Sequence, residues 1–132
     1  MPFLTVYHHY NFCPSSFGNV NDDRFNFAQT LTTTTCLHLS STAPSTVKIA
    51  FIYCNGEDTD LFIGGRRNRD YMRIEAQIGK GRSEEEKRAL MMGLTEAIVQ
   101  SVKPKKREKL EVQVRIVEEE EGGLMTNGRL GE

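Results

Sequence analysis

The chain of 132 residues carries 17 Lys and Arg against 18 Asp and Glu, a net charge of −1. That balance offers no basic face for nucleic acid, and no apolar run approaches the ~18 residues that a membrane span needs. The length suits one domain, 1–132, with a single modest core.

No basic segment followed by a long apolar stretch opens the chain, so no secretory leader is expected and the start is read as the mature start, Met1 aside. Cys13, Cys36 and Cys54 are odd in number and form no CxxC. They read as free thiols in a reducing compartment, which makes the cytoplasm the expected location. No cofactor is implied.

In chain order, PFLTVYHH (residues 2–9) reads as a strand rich in β-branched and aromatic residues. Pro2 suits its first position, where no ladder donor is missed. His8 and His9 point to opposite faces of such a strand, which disfavours a shared metal ion. A polar loop follows, with Pro14 and Gly18. Asp22 or Asp23 then caps a helix over FNFAQTLTTTTCLHL, weakened by four consecutive threonines. SSTAPST (40–46) is a connector. VKIAFIYC (47–54) alternates as a strand with Val47, Ile49, Phe51 and Tyr53 on one face.

CNGEDTD reads as a turn, LFIGG as a short strand or arm, and RRNRD as another turn. YMRIEAQIG (71–79) is a strand with Ile74, Ala76 and Ile78 on one face. Ser83 and Glu86 make a capping box, hydroxyl to N–H and carboxylate back again, at the start of a helix. Leu90, Leu94, Ile98 and Val102 recur every four residues along it, and Pro104 stops it. KLEVQVRIVEE (109–119) is the last long strand, with Leu110, Val112, Val114 and Ile116 aligned. Glu118 to Glu121 is a solvated turn, and the turn-rich tail forms an arm or small hairpin.

The order is β-α-β, arm, β-α-β, with halves of about 2–54 and 71–119. Crossover helices join parallel strands within each half. The expected fold class is α+β: a four-stranded mixed sheet, two helices on one face, a short arm and a C-terminal hairpin or tail. The uncovered face carries Lys48, Ala50, Ile52, Glu75, Gln77, Gln113 and Val117. Such a half-apolar face predicts a symmetric oligomer.

With the N-terminal M-P-F-L-T-V, the doubled β-α-β and I-G-K-G-R-S-E-E-E-K at 78–87, the chain resembles the tautomerase superfamily. It is similar to the carboxymethyl-hydroxymuconate isomerases over the second half. It is similar to the cis-chloroacrylic acid dehalogenase group from LFIGG through the GRS turn to NGR at 127–129. Residues 10–46 match poorly. The resemblance implies a β-α-β-β-α-β trimer with a catalytic N-terminal proline, here Pro2, and a carboxylate-binding arginine, here Arg82.

The chemistry of these residues agrees. An exposed α-amino group titrates near 8, and burial or a nearby cation pushes it toward neutrality. A neutral secondary amine can take a proton from carbon beside a carbonyl and return it elsewhere. Arg82 immediately precedes the Ser83 cap, where free backbone N–H groups favour anions. A guanidinium there can grip a carboxylate with two donors. Lys80 of the same turn, Arg115 on the last strand and Lys48, which stands where the isomerase group has a substrate-binding arginine, are further substrate-binding candidates.

The dehalogenase pattern is incomplete. Its second arginine falls at Gly79, its tyrosine at Arg115 and its water-activating glutamate at Thr126, and its histidine falls near Cys36, or at His38 with a gap. The expected activity is therefore tautomerisation of a small 2-oxo or enol carboxylate, with Pro2 as base. The alternatives are a dehalogenase, hydratase or decarboxylase with protonated proline as acid, or a trimer that binds a small acid without catalysis. A small carboxylate and two further copies of the chain are the expected partners, with no nucleic acid and no membrane.

Overall fold

The structure, a computed structural model, describes residues 2–8, 23–54, 62–67, 71–102, 110–119, 125–126 and 128–130. His9, the expected loop over 10–22 with Cys13, the turns at 55–61 and 68–70, and Lys103 and Pro104 lie outside the described residues.

Strand β1, Phe3–His8, buries Leu4, Val6 and His8 and leaves the residues between them partly open. That period of two presents one apolar face to the core. Helix α1, Asp23–His38, buries Phe27, Leu31 and Thr35, spaced by four, and Leu39 continues the row just past its end. The threonine run does not break it. Thr30, Thr32 and Thr35 donate their hydroxyls to the carbonyls four residues earlier, at 3.0, 2.9 and 2.8 Å. The helix thus supplies the acceptors that threonine would otherwise seek in competing conformations.

A connector with a 3₁₀ turn at Pro44–Thr46 leads to strand β2, Lys48–Tyr53, parallel to β1 from Phe3↔Lys48 to His8↔Tyr53. Strands β3, Phe62–Ile63, and β4, Arg66–Arg67, then pair antiparallel. This differs from a strand followed by a separate turn. Gly64 and Gly65 take φ of +61° and +80°, so a two-residue loop reverses the chain at once and draws Arg66 and Arg67 into the hairpin.

Strand β5, Tyr71–Gly79, turns Met72, Ile74, Ala76 and Ile78 to the core. Helix α2, Glu84–Ser101, lays Leu90, Leu94, Ile98 and Val102 against them, the last as its C-cap. Strand β6, Glu111–Glu119, runs parallel to β5 with Val112, Val114 and Ile116 against the core. A last hairpin pairs β7, Met125–Thr126, with β8, Arg129–Leu130, across Gly128 at φ +80°.

The sheet order is β2-β1-β5-β6. Each half contributes a parallel pair, and the antiparallel contact of β1 with β5 joins them into one mixed sheet. Side chains of α1 and α2 share the core with one face of that sheet. The other face carries Phe3, Thr5 and Tyr7 of β1, Lys48 of β2, Arg73 and Glu75 of β5 and Arg115 of β6, by the same alternation. Arg73 and Glu75 pair there at 3.0 Å. Neither Cys36 nor Cys54 is in a disulfide.

Two contacts tie α2 in place. Where it meets α1, Gly93 lies so close that a Cβ would stand 2.8 Å from the His38 ring and 2.9 Å from Thr34 Cγ2. At its N-terminal turn, Lys87 donates to Glu118 of β6 at 2.8 Å and pairs with Glu84 at 2.7 Å. The hydrogen bond to Glu118, with that to Glu84, holds Lys87 above its ordinary 10.5. The hydrogen bond from Lys87 holds Glu84 below its ordinary 4.5.

Gly93→Ala should lower stability on the order of 1 kcal/mol. Overpacking costs about 1–3 kcal/mol, against a helix-propensity gain of about 1 kcal/mol. A thermal melt checks it, and a raised Tm would mean that the helices part freely. The Lys87 ties make a second prediction. A lowered carboxyl gives stability that is present above its unfolded pKa and lost as pH falls through its folded one. A raised amine gives stability that is present below its unfolded pKa and lost as pH rises through its folded one. The stability gap between wild type and Lys87→Met should therefore be flat between 4.5 and 10.5 and shrink outside that window. Urea titrations across pH would show it.

Candidate functional site

Pro2 is buried at the entry to β1. Its carbonyl accepts the Lys48 N–H at 3.1 Å, which fixes it against β2. It needs no donor of its own in the ladder. Counting back from Leu4 and Val6, it falls on the helix side of the sheet. The register Phe3↔Gln77 sets it opposite Ile78, at the end of β5.

Beyond Ile78 the chain makes the turn Gly79–Lys80–Gly81–Arg82 into the Ser83 cap. Gly81 takes φ +99°, a conformation that a side chain would strain. On the other flank stands the connector after α1. Its Ser41 is at φ +61°, an uncommon value for a residue other than glycine. Between these walls lies a cleft of about 290 Å³. Pro2, Leu39 and Ile78 form its apolar part. Ser41, Thr42, Ala43 and Thr46 line one side, and Gly79, Lys80 and Arg82 the other.

Arg82 is held by one end. Its Nη1 donates to the Ser40 carbonyl at 2.7 Å and to Ser40 Oγ at 3.1 Å, and pairs with Glu86 Oε2 at 3.2 Å. Among the described residues, Nε and Nη2 make no hydrogen bond. This geometry alters the expected capping box. Ser83 Oγ accepts the Glu86 N–H at 3.1 Å as expected, while the Glu86 carboxylate is turned to Arg82. A guanidinium offers a carboxylate a stronger, charge-assisted bond than a backbone amide does.

Of the candidates, the cleft brings together Pro2, Arg82 and Lys80, the last exposed at its rim. Lys48 and Arg115 are exposed on the opposite face of the sheet. Among the described residues, Lys48 meets the site through its main-chain bond to Pro2. Arg115 stands beside Glu75 in the register. His8 is at the far end of β1 from Pro2, stacked on Tyr53 at 5.1 Å. His38 packs at Gly93 and, among the described residues, neither it nor Cys36 lines the cleft. Sequence reading passed over Ser40 and its neighbours as a mere connector. It also missed the Arg82–Glu86 pair, although the spacing of four on a helix start was there to be read.

No family model matches the sequence, and no curated protein does. Solved structures do match the fold. A wild-type fused 4-OT forming an asymmetric trimer superposes with a TM-score of 0.76 at 18% identity, over 97% of this chain and 94% of that one. Pt0534 inactivated by 2-oxo-3-pentynoate gives 0.76 at 15% identity, over 97% and 95%. N1, a member of the cis-3-chloroacrylic acid dehalogenase family, gives 0.71 at 20% identity, over 97% and 82%. The chain thus shares the fold of the fused 4-OT, Pt0534 and N1 structures.

Proposed function

We propose that the chain is a tautomerase-type isomerase acting on a small 2-oxo or enol carboxylate. One observation carries this reading: Pro2 and Arg82 open onto the same cleft. With Met1 removed, Pro2 bears a secondary amine at the apolar end. Burial disfavours its ammonium form, and the Arg82 and Lys80 charges act in the same direction. The neutral amine takes a proton from the carbon beside the substrate carbonyl. The electron pair moves into the new carbon–carbon double bond and the carbonyl oxygen gathers charge. The proton is then returned to that oxygen or to a more distant carbon. Arg82 holds the carboxylate through Nε and Nη2, donors that no described residue uses, and a cavity of about 290 Å³ suits a small acid.

Burial works against a standing positive charge on Pro2, and so against the acid role that a dehalogenase-type reaction needs. A homotrimer is part of the proposal. Fused 4-OT structures of this fold are trimers, and the open sheet face presents Phe3, 36% exposed, with Ile52 and Val117 elsewhere on the same face. Light scattering should return three times the 15.0 kDa chain mass.

The intact mass should lack Met1. Pro2→Ala should cut phenylenolpyruvate turnover by about 100-fold or more, within the range of general base catalysis. Arg82→Ala should act mainly on KM. Unchanged turnover in Pro2→Ala would overturn the reading. 2-Oxo-3-pentynoate, which inactivates Pt0534, gives an independent test. A neutral amine adds across its polarised triple bond, forming N–C while the N–H proton passes to the neighbouring carbon. One equivalent should attach at Pro2, located by peptide mass mapping, and no adduct should form in a protein that keeps Met1.

A further inference from the structure

We propose that Glu86 is a positioning residue for the carboxylate site, acting with Ser40 to hold Arg82 in a fixed pose. This rests on the reading of Arg82 as the carboxylate holder. Among the described residues, the three hydrogen bonds of the guanidinium all fall on Nη1: to the Ser40 carbonyl at 2.7 Å, Ser40 Oγ at 3.1 Å and Glu86 Oε2 at 3.2 Å. One nitrogen takes all the restraint that the described residues supply. The adjacent pair Nε and Nη2 stays available for a carboxylate, and that edge matches its two oxygens.

Both anchors are themselves fixed. Glu86 stands in the first turn of α2, where Ser83 Oγ caps its N–H and Leu90 and Leu94 are fully buried further along. Ser40 follows Leu39, which is 1% exposed and lines the same cleft. An arginine free in solvent has many rotamers to lose when it grips a ligand. Arg82 loses them on folding, so a bound acid meets a ready fork. The pair also limits charge. Glu86 offsets part of the Arg82 charge, which suits the site to a single carboxylate.

The test compares Glu86→Ala, Glu86→Gln and Arg82→Ala in steady-state turnover of phenylenolpyruvate, with phenylpyruvate and its methyl ester as competing ligands. Glu86→Ala should raise KM about tenfold with a smaller change in kcat. It should weaken phenylpyruvate similarly and the uncharged ester little. Glu86→Gln, whose amide oxygen can still accept from Nη1, should recover most of the loss. A Glu86→Ala enzyme with unchanged KM, beside an Arg82→Ala enzyme with raised KM, would overturn the positioning role and leave the carboxylate reading standing. Tighter binding in Glu86→Ala would also overturn it, because Glu86 would then be a competitor for Arg82. If Arg82→Ala leaves KM unchanged, the carboxylate reading fails and this inference fails with it.

Discussion

The register of β1 against β5 decides where the N-terminal residue ends up. Phe3 pairs with Gln77 in an antiparallel ladder at the centre of the sheet. This is the seam between the two β-α-β halves. It sets Pro2, from the first half, beside the Ile78–Arg82 turn of the second. A slip of one residue would invert every side chain of β1. Leu4 and Val6 would leave the core, and Pro2 would move to the open face. The apolar alternation that stabilises the sheet is therefore also what fixes the position of the amine.

The same seam explains why the two flanks of the cleft belong to different halves. The connector after α1 reaches it because Lys48 bonds Pro2 and starts β2 there. The GKGRS turn reaches it because β5 ends there and α2 begins. Arg82 then stitches the flanks together through Ser40 on one side and Glu86 on the other. Partly buried guanidinium needs such partners, since a charge withdrawn from water without them is costly. Here the partners come from both halves, so the site and the joining of the halves support one another.

Much of this was legible in the residues. Residue type gave β1, and apolar alternation gave β2, β5 and β6, to within a residue or two of their ends. The four-residue spacing from Leu90 to Val102 gave α2, and Ser83 gave its start. The doubled order gave the sheet and the side on which the helices lie. Less was legible where a local rule met a tertiary partner. The threonines of α1 satisfy themselves along the helix, which a propensity scale weighs only as a cost. Glu86 has two acceptable partners in sequence, the cap N–H and Arg82, and only the fold decides between them. Lys48 and Arg115 showed a different limit. Alternation already put Lys48 on the uncovered face, yet comparison of types along the chain drew both residues toward the site. Within one chain, the face of a strand decides which side of the sheet a cation can reach.

The geometry also bears on how a weak base can serve at all. A terminal amine is ordinarily the most mobile group in a chain. Here it would sit on the first residue of a central strand, with its carbonyl bonded to a neighbouring strand and its ring buried. Proline suits this place for two reasons that operate together. Its ring removes rotational freedom at the nitrogen, and its bond into the sheet runs through its carbonyl, which leaves the nitrogen outside the ladder. The demands of the strand and those of the base thus converge on the same residue, which is why the strand-starting reading of Pro2 and the chemical one do not compete.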